Sequence, residues 1–310
     1  MSITRKALLA ASTSPWLREQ ATRAPFVRRS VSKFMPGERF EDAMAAAVAQ
    51  QKRGIGSIFT RLGENLERVD DAEAVTQHYL EVIDKVNDAS IDAQIAVKPT
   101  QLGLDLDVDL CCRNLQRLVD RAIARNNFVW IDMESSPYVD ATLDLFRRTR
   151  ARTTRIGVAV QSYLLRSARD VESLLPLGSA IRLVKGAYLE PPTVAYPKKR
   201  DVDENFYRLA CRMLDAEAQR YGTHLHIATH DPVLVDRVNA FIEQSRVPAS
   251  AYEYAMLYGI QRPLQERLVR AGRPLRVLIA YGEYWFPWYM RRLAERPANV
   301  WFVVKNLFAR

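Results

Sequence analysis

Short apolar runs of the kind that form β-strands alternate along the chain with longer stretches of amphipathic, helical pattern. One strand run and one helical stretch together repeat at roughly the spacing that βα units require. The eight strand-like runs cover residues 57–63, 93–98, 128–133, 155–160, 180–185, 224–229, 251–256 and 276–281. The helical stretches between them include residues 71–87, 109–126, 204–222 and 231–244.

Eight strands that are each followed by a helix predict an α/β fold of the TIM-type (βα)8 barrel class. The alternative is an open doubly wound sheet, in which a GxGxxG turn after an early strand would indicate dinucleotide binding. No such turn follows an early strand in this sequence. The barrel is therefore the predicted fold, and its chemistry is expected at the carboxyl ends of the strands.

The first part of the chain has no strand pattern and reads as helical, with the alanine-rich stretch 40–54 ending at Gly54. Residues 1–33 contain several Arg and Ser but only one acid, Glu19, as a mitochondrial transit peptide would. Their apolar residues are nevertheless spaced as a folded helical cap requires. We expect an N-terminal helical segment over residues 1–53 and a barrel over residues 54–310.

A formal net charge of +9 is compatible with nucleic acid or an anionic membrane as a partner. The arginines are scattered over helical faces, which favours a solvated basic surface and no nucleic-acid partner. The three cysteines, Cys111, Cys112 and Cys211, form no CxxC pair and fit a reducing cytoplasm. No apolar run is long enough to cross a bilayer. These features predict a soluble cytoplasmic protein.

Polar residues stand near the end of almost every predicted strand. The candidates for a site at the barrel mouth are Glu64, Lys98, Asp132, Glu134, Gln161, Arg182, Lys185, Thr229, His230, Glu253 and Gly282. Lys98 is compatible with a Schiff-base lysine, with a cation that holds Asp132, or with a surface lysine. Arg182 lies inside an apolar strand, where it requires either an ion pair or an anionic or electron-rich ligand. Gly186 would let the backbone approach such a ligand closely.

Two further patterns give alternatives. His224 and His226 are two residues apart on one strand, which is compatible with a zinc site of a metal-dependent barrel hydrolase or with core histidines. Arg291 and Arg292 lie near the middle of a predicted short helix over 286–297. Two guanidinium groups that project about 100° apart suit a single carboxylate, although such helical faces are often only solvated. A further alternative to an enzyme is a basic, non-enzymatic binding protein on a barrel scaffold.

The sequence resembles the proline dehydrogenase family over its whole length, in its short monofunctional bacterial form. That family consists of flavin enzymes that oxidise proline to Δ1-pyrroline-5-carboxylate. The motifs that carry the resemblance are LGE (62–64), VKPTQLG (97–103), WIDME (130–134), QSYLLRS (161–167), RLVKGAYLEP (182–191), ATHD (228–231), EYAMLYG (253–259) and RRLAE (291–295). The RLVKGAY motif and the double-arginine helix are together highly specific.

The resemblance implies a distorted (βα)8 barrel with N-terminal helices, a last helix over the barrel mouth, and FAD across the strand ends. The implied FAD contacts are Met133, Gln161, Arg182, Val184, Lys185, Gly186, Ala187, Thr229 and His230. Asp132 and Arg182 are the implied catalytic residues, and no metal is implied. The implied L-proline site comprises Lys98, the carboxylate-binding Arg291 and Arg292, Leu278, and Glu64 as a gate that pairs with Arg291.

The resemblance further implies that electrons pass to a membrane quinone, so that the cytoplasmic protein makes peripheral contact with the inner face of the cell membrane. A separate pyrroline-5-carboxylate dehydrogenase would take the product. The sequence departs from the family pattern at two places, Leu278 in the last strand and Trp288 three residues before the double arginine, where tyrosines are common. Both positions are expected near the proline ring, where they bear on discrimination between proline and hydroxyproline.

Overall fold

The computed structural model describes residues 27, 30–63 and 66–295. Eight strands form a closed barrel in the order β1 to β8, all paired in parallel, with β8 pairing back to β1. The strands are β1 Gly56–Arg61, β2 Ala93–Val97, β3 Val129–Ile131, β4 Ile156–Gln161, β5 Ala180–Val184, β6 His224–Ala228, β7 Tyr252–Leu257 and β8 Leu275–Tyr281. The predicted barrel and its eight strands are confirmed.

The helices surround the barrel in the order that the pattern predicts. They are α1 Phe40–Gln51, α2 Val69–Asp88, α3 Val108–Ala124, α4 Val139–Arg150, α5 Ser167–Leu174, α6 Lys199–Leu214, α7 Ala216–Tyr221, α8 Pro232–Gln244, α9 Arg262–Arg270 and α10 Trp285–Glu295. The prediction of one helix over 204–222 is wrong, because the chain is extended at Asp215. The Asp215 carboxylate accepts a hydrogen bond from the Ala218 N–H and so begins a new helix.

Residues that alternate along each strand belong to two different cores. On β5, Ile181 and Leu183 are buried against the surrounding helices in the main apolar core. Arg182 lies between them and faces the inside of the barrel. The interior contains a small apolar cluster of Ile58, Ala96 and Trp130 together with buried polar groups. Period-2 alternation thus places the charged side chain of Arg182 inside the barrel.

The described part of the N-terminal segment packs on the last helix. Val31 and Met35 share an apolar cluster with Trp285 and Tyr289 of α10. The Tyr289 hydroxyl donates to Ser30 Oγ at 2.7 Å. This contact stabilises α10 near the carboxyl ends of β1 and β8. The predicted division at residue 53 remains a prediction, and residues 1–26 lie outside the described part of the chain.

Within residues 27, 30–63 and 66–295, every helix is either too short or too polar to cross a lipid bilayer.

Candidate active site

Three charged side chains meet where β2, β3 and β5 end. Asp132 directly follows β3, and its backbone N–H donates to the Val97 carbonyl of β2 at 2.8 Å. Arg182 donates through Nη2 to Asp132 Oδ1. The Lys98 Nζ lies 3.9 Å from the other carboxylate oxygen of Asp132. Of the three interpretations of Lys98, the geometry agrees with the cation that holds Asp132.

Arg182 is a cation in an almost fully buried position, with 3% of its surface exposed. Its guanidinium carbon lies 5.1 Å from the centre of the Trp130 ring. Burial lowers the pKa of Arg182, and the negative charge of Asp132 opposes that shift. Among the described residues, the Arg182 Nη1 atom has no hydrogen-bond partner. A buried donor of this kind suits an electron-rich or anionic ligand.

Lys185, the first residue after β5, takes part in a network of alternating charges. Its Nζ lies 2.6 Å from Asp203 and 3.0 Å from Asp231, and Lys199 contacts the same two carboxylates. Burial raises the pKa of Asp231, but hydrogen bonds from the two lysines outweigh that effect and lower the pKa to about 2. Asp231 also accepts from the Val233 N–H and so caps α8. These ion pairs connect the residue that follows β5 to helix α6 and to the loop that follows β6, and so restrain these three segments relative to one another.

Gly186 has a backbone φ of +116°, a conformation that favours glycine. A Cβ at this position would fall 2.2 Å from the Tyr163 ring. The Tyr163 backbone N–H donates to the Lys185 carbonyl at 2.9 Å, so the ring is held in place. The close approach that glycine permits here is therefore to an aromatic side chain of the protein itself, beside the predicted ligand site.

Substituting alanine for Gly186 should destabilise the protein more than the same change at Gly222, where φ is +78° and a Cβ would meet nothing within 4 Å. For Gly222→Ala we expect a loss of about 1–2 kcal/mol in the free energy of unfolding, from backbone strain alone. For Gly186→Ala a further loss of about 1–3 kcal/mol is expected from overpacking against Tyr163. Urea-induced unfolding of both variants measures the difference, and equal losses would contradict this explanation.

The other predicted cofactor residues lie at the ends of β3 to β6. Gln161 ends β4, and its Nε2 donates to the Glu134 carbonyl at 2.7 Å. The His230 Nε2 accepts from the Leu257 N–H at 2.8 Å, and the Thr229 hydroxyl accepts from the Asp231 N–H at 3.2 Å. Val184 and Ala187 are half-buried. Met133 packs into the main core, so that a ligand contact would come from its backbone.

Helix α10 brings the double arginine to this end of the barrel. The Arg291 guanidinium lies 5.3 Å from the centre of the Tyr188 ring, which follows β5. The Arg292 guanidinium lies 5.9 Å from the Trp288 ring. Leu278 packs against both the interior cluster and the cluster of α10. Glu64 lies outside the described residues. Sequence reasoning missed Tyr188, although it ends the RLVKGAY motif.

The two histidines of β6 lie within the first three residues of the strand, and His226 pairs with Arg182 of β5 in the barrel register. His224 begins the strand, and the His226 Nε2 lies 3.2 Å from Glu253, the second residue of β7. The prediction that places Glu253 at the barrel mouth is therefore wrong. His224, His226 and Glu253 bring three ligand atoms within 4.8 Å of one another, but the Glu253 carboxylate already accepts from Arg276 at 2.8 Å. Burial lowers the pKa of His226 to about 4, which keeps its ring neutral.

A closed barrel whose buried charges meet at the carboxyl ends of its strands has the architecture of a (βα)8-barrel enzyme. The proline dehydrogenase family model matches residues 43–305. The chain is 35% identical over 308 residues to a proline dehydrogenase of Deinococcus radiodurans, covering 98% of this chain and 97% of that protein. It is 33% identical over 305 residues to proline dehydrogenase 2 of Bacillus subtilis, covering 98% and 99%.

The chain belongs to the proline dehydrogenase family, which confirms the resemblance drawn from the motifs. It is thus an oxidoreductase that acts on proline in proline catabolism. A solved structure of proline utilization A from Bdellovibrio bacteriovorus, inactivated by N-propargylglycine, has a similar fold with a TM-score of 0.79 and 21% identity. The likeness covers 86% of this chain and 32% of that one. This chain therefore spans about a third of the larger protein.

Proposed function

We propose that the protein oxidises L-proline to Δ1-pyrroline-5-carboxylate with FAD as its cofactor. Bound at this site, the cofactor would supply the acceptor for the hydride of the ring carbon next to the proline nitrogen. The observation that carries the proposal is the buried Arg182, which is paired with Asp132 and retains an unpartnered donor among the described residues. An anionic or electron-rich group across the strand ends would accept from that donor. This is the position expected for the reactive edge of the cofactor.

The proposed cofactor site is formed by the ends of β3 to β6. Arg182 would favour the negative charge that the reduced cofactor acquires, which is how a protein tunes a redox group that carries the chemistry. Lys185 is fixed by the two aspartates of its network and so presents a cation at the β5 end. The remaining proposed contacts are Met133, Gln161, Val184, Gly186, Ala187, Thr229 and His230. Their support is the family membership and their common location at the strand ends.

Proline offers one strong recognition group, its carboxylate. Arg291 and Arg292 of α10 would bind that carboxylate, because two planar guanidinium groups suit it from different sides. Lys98 would lie near the ring nitrogen, where like-charge repulsion disfavours the protonated amine and leaves the lone pair needed for hydride release. Asp132 would hold Lys98 and Arg182 in register. Leu278 is proposed to line the site against the proline ring.

Four further parts complete the proposal. Glu64 acts as a gate that pairs with Arg291. Electrons leave for a membrane quinone, and the net charge of +9 supports peripheral contact with an anionic inner membrane face from the cytoplasm. A separate pyrroline-5-carboxylate dehydrogenase takes the product, and residues 1–53 form a helical segment that precedes the barrel domain at 54–310.

Purified protein should show the visible absorbance of an oxidised flavin, and anaerobic L-proline should bleach it. D-proline serves as a matched control, because it has the same groups but presents its hydrogen to the opposite face. Protein that stays colourless after reconstitution with FAD would contradict the cofactor. A flavin that is bound but not bleached by L-proline would contradict the reaction. Hydrolase or binding-protein alternatives predict no proline-dependent bleaching at all.

A further inference from the structure

Two buried carboxylates each receive both donors of one hydroxyl residue near the candidate site. In the first pair, the Thr100 N–H donates to Glu134 Oε2 at 3.1 Å and the Thr100 hydroxyl donates to Oε1 at 2.6 Å. In the second pair, the Ser136 N–H donates to Glu190 Oε1 at 2.7 Å and the Ser136 hydroxyl donates to Oε2 at 2.6 Å. We call these pairs the Thr100 clamp and the Ser136 clamp.

The two clamps connect loops that carry different parts of the candidate site. Thr100 lies two residues after Lys98, and Glu134 lies two residues after Asp132. The Thr100 clamp therefore joins the loop after β2 to the loop after β3. The Gln161 side chain donates to the backbone carbonyl of Glu134, which adds β4 to the same assembly.

The Ser136 clamp continues the assembly to the next loop. Ser136 lies on the loop after β3, and Glu190 lies two residues after Tyr188 on the loop after β5. Tyr188 is the aromatic ring that faces Arg291 of α10. The loop after β3 thus provides the acceptor in one clamp and the donors in the other, so the loops after β2, β3 and β5 are linked in series.

Burial and paired hydrogen bonds let each clamp hold its two loops tightly in position. Glu134 and Glu190 are 2% and 9% exposed, and Thr100 is fully buried. Hydrogen bonds to ionised carboxylates are shorter and stronger than neutral ones, and two parallel bonds fix orientation as well as distance. The Lys98–Asp132 separation of 3.9 Å has no direct short hydrogen bond to maintain it. The Thr100 clamp supplies that restraint from outside the ion pair.

We propose that Glu134 and Glu190 are positioning residues for two different parts of the reaction. The Thr100 clamp holds Lys98 relative to Asp132 and so acts on the chemical step. The Ser136 clamp holds the Tyr188 segment beneath Arg291 and so acts on substrate binding. This inference rests on the proposed function, because it assigns each clamp to a part of proline oxidation.

Anaerobic stopped-flow reduction of the bound flavin by L-proline should distinguish the kinetic effects of the two clamps. Thr100→Val removes the hydroxyl bond with little change in volume, and the limiting reduction rate should fall about tenfold to a hundredfold, since small misplacements of reacting groups cost that much. The proline concentration for half-maximal rate should change less than about threefold. Ser136→Ala should give the reverse split, with the half-saturating proline concentration raised about tenfold.

Conservative variants test positioning against general damage. Thr100→Ser and Ser136→Thr keep both donors of each clamp, so these variants should have wild-type kinetics. Thr149→Val is the matched structural control, because the Thr149 hydroxyl is buried and donates to the Leu145 carbonyl at 2.9 Å within α4, on the outside of the barrel. It should lower thermal stability as Thr100→Val does, and its kinetics should match the wild type.

Each outcome decides one question. Wild-type protein that is not reduced by proline would overturn the proposed function and the clamp inference with it. A wild type that is reduced normally, with Thr100→Val and Ser136→Ala indistinguishable from Thr149→Val, would overturn the clamps alone. Equal effects of both clamp variants on rate and on half-saturation would overturn the assignment of each clamp to a separate step.

Discussion

Substituting methionine for Arg182 is expected to slow flavin reduction by L-proline about 10²–10³-fold, as removal of one preorganised donor from a developing negative charge does. Methionine fills a similar volume but offers neither a charge nor a donor. Arg182 is 3% exposed, so water cannot replace the missing guanidinium. Among the described residues, Asp132 would keep one cationic partner, Lys98, whose Nζ is 3.9 Å away. Anaerobic stopped-flow measurement of flavin bleaching tests the rate directly.

Loss of stability is the alternative explanation of such a result, and the barrel contains a matched control. Arg276 lies inside the same barrel at the opposite end, where its Nε donates to Glu253 at 2.8 Å and only 13% of its side chain is exposed. Arg276→Met removes an arginine from a comparable ion pair. Its unfolding temperature should fall as in Arg182→Met, while the folded, flavin-loaded enzyme reduces at the wild-type rate. Equal rates of flavin reduction in the two variants would show that Arg182 takes no part in the reaction.

The barrel was predictable because strand formation leaves a local signal. Apolar runs of strand length, separated by amphipathic helices, identified all eight strands to within two residues at each end. The break in the helix at Asp215 was not predicted, since the residues around it carry an unbroken helical pattern. One side-chain hydrogen bond from Ala218 N–H decides that break. A single capping interaction is too small a feature to outweigh the pattern of a long window.

The identities of several site residues were predictable from the sequence, but their arrangement in space was not. Motif resemblance named Asp132 and Arg182, and only the fold brings these two residues, 50 positions apart, into contact. Glu253 was misplaced even though the sequence held the signal, because a residue early in a parallel strand lies at its amino end. The Thr100 and Ser136 clamps join residues 34 and 54 positions apart. Such pairings leave no pattern in a single sequence.

Removal of the double arginine is the second large effect expected. Arg291→Met or Arg292→Met should raise the KM for L-proline about a hundredfold, because truncating one partner of a desolvated charge pair costs about 2–5 kcal/mol. The flavin should stay bound, since α10 lies on the substrate side of the proposed site. Arg291 is held over the Tyr188 ring, so its loss should also loosen that contact. Steady-state kinetics with an artificial electron acceptor measure the change.

A change in overall charge must be separated from loss of a specific carboxylate contact. The adjacent pair Arg147 and Arg148 of α4 provides the control, because Arg147 donates to Ser173 and Arg148 to Asp144 on the outer surface of the barrel. Methionine at one or at both of these positions removes the same charge as the single or the double variant of α10 and should leave the KM for proline unchanged. L-prolinamide, which lacks the carboxylate, completes the test.

If the arginines of α10 bind the carboxylate, replacing proline by its amide should weaken binding strongly in the wild type and little in the Arg291→Met/Arg292→Met variant. The two losses are then not additive, which is the signature of groups that act on each other. Strictly additive losses would mean that the double arginine affects binding without contacting the carboxylate. In that case its role would reduce to holding α10 over the strand ends, and the substrate carboxylate would require another partner.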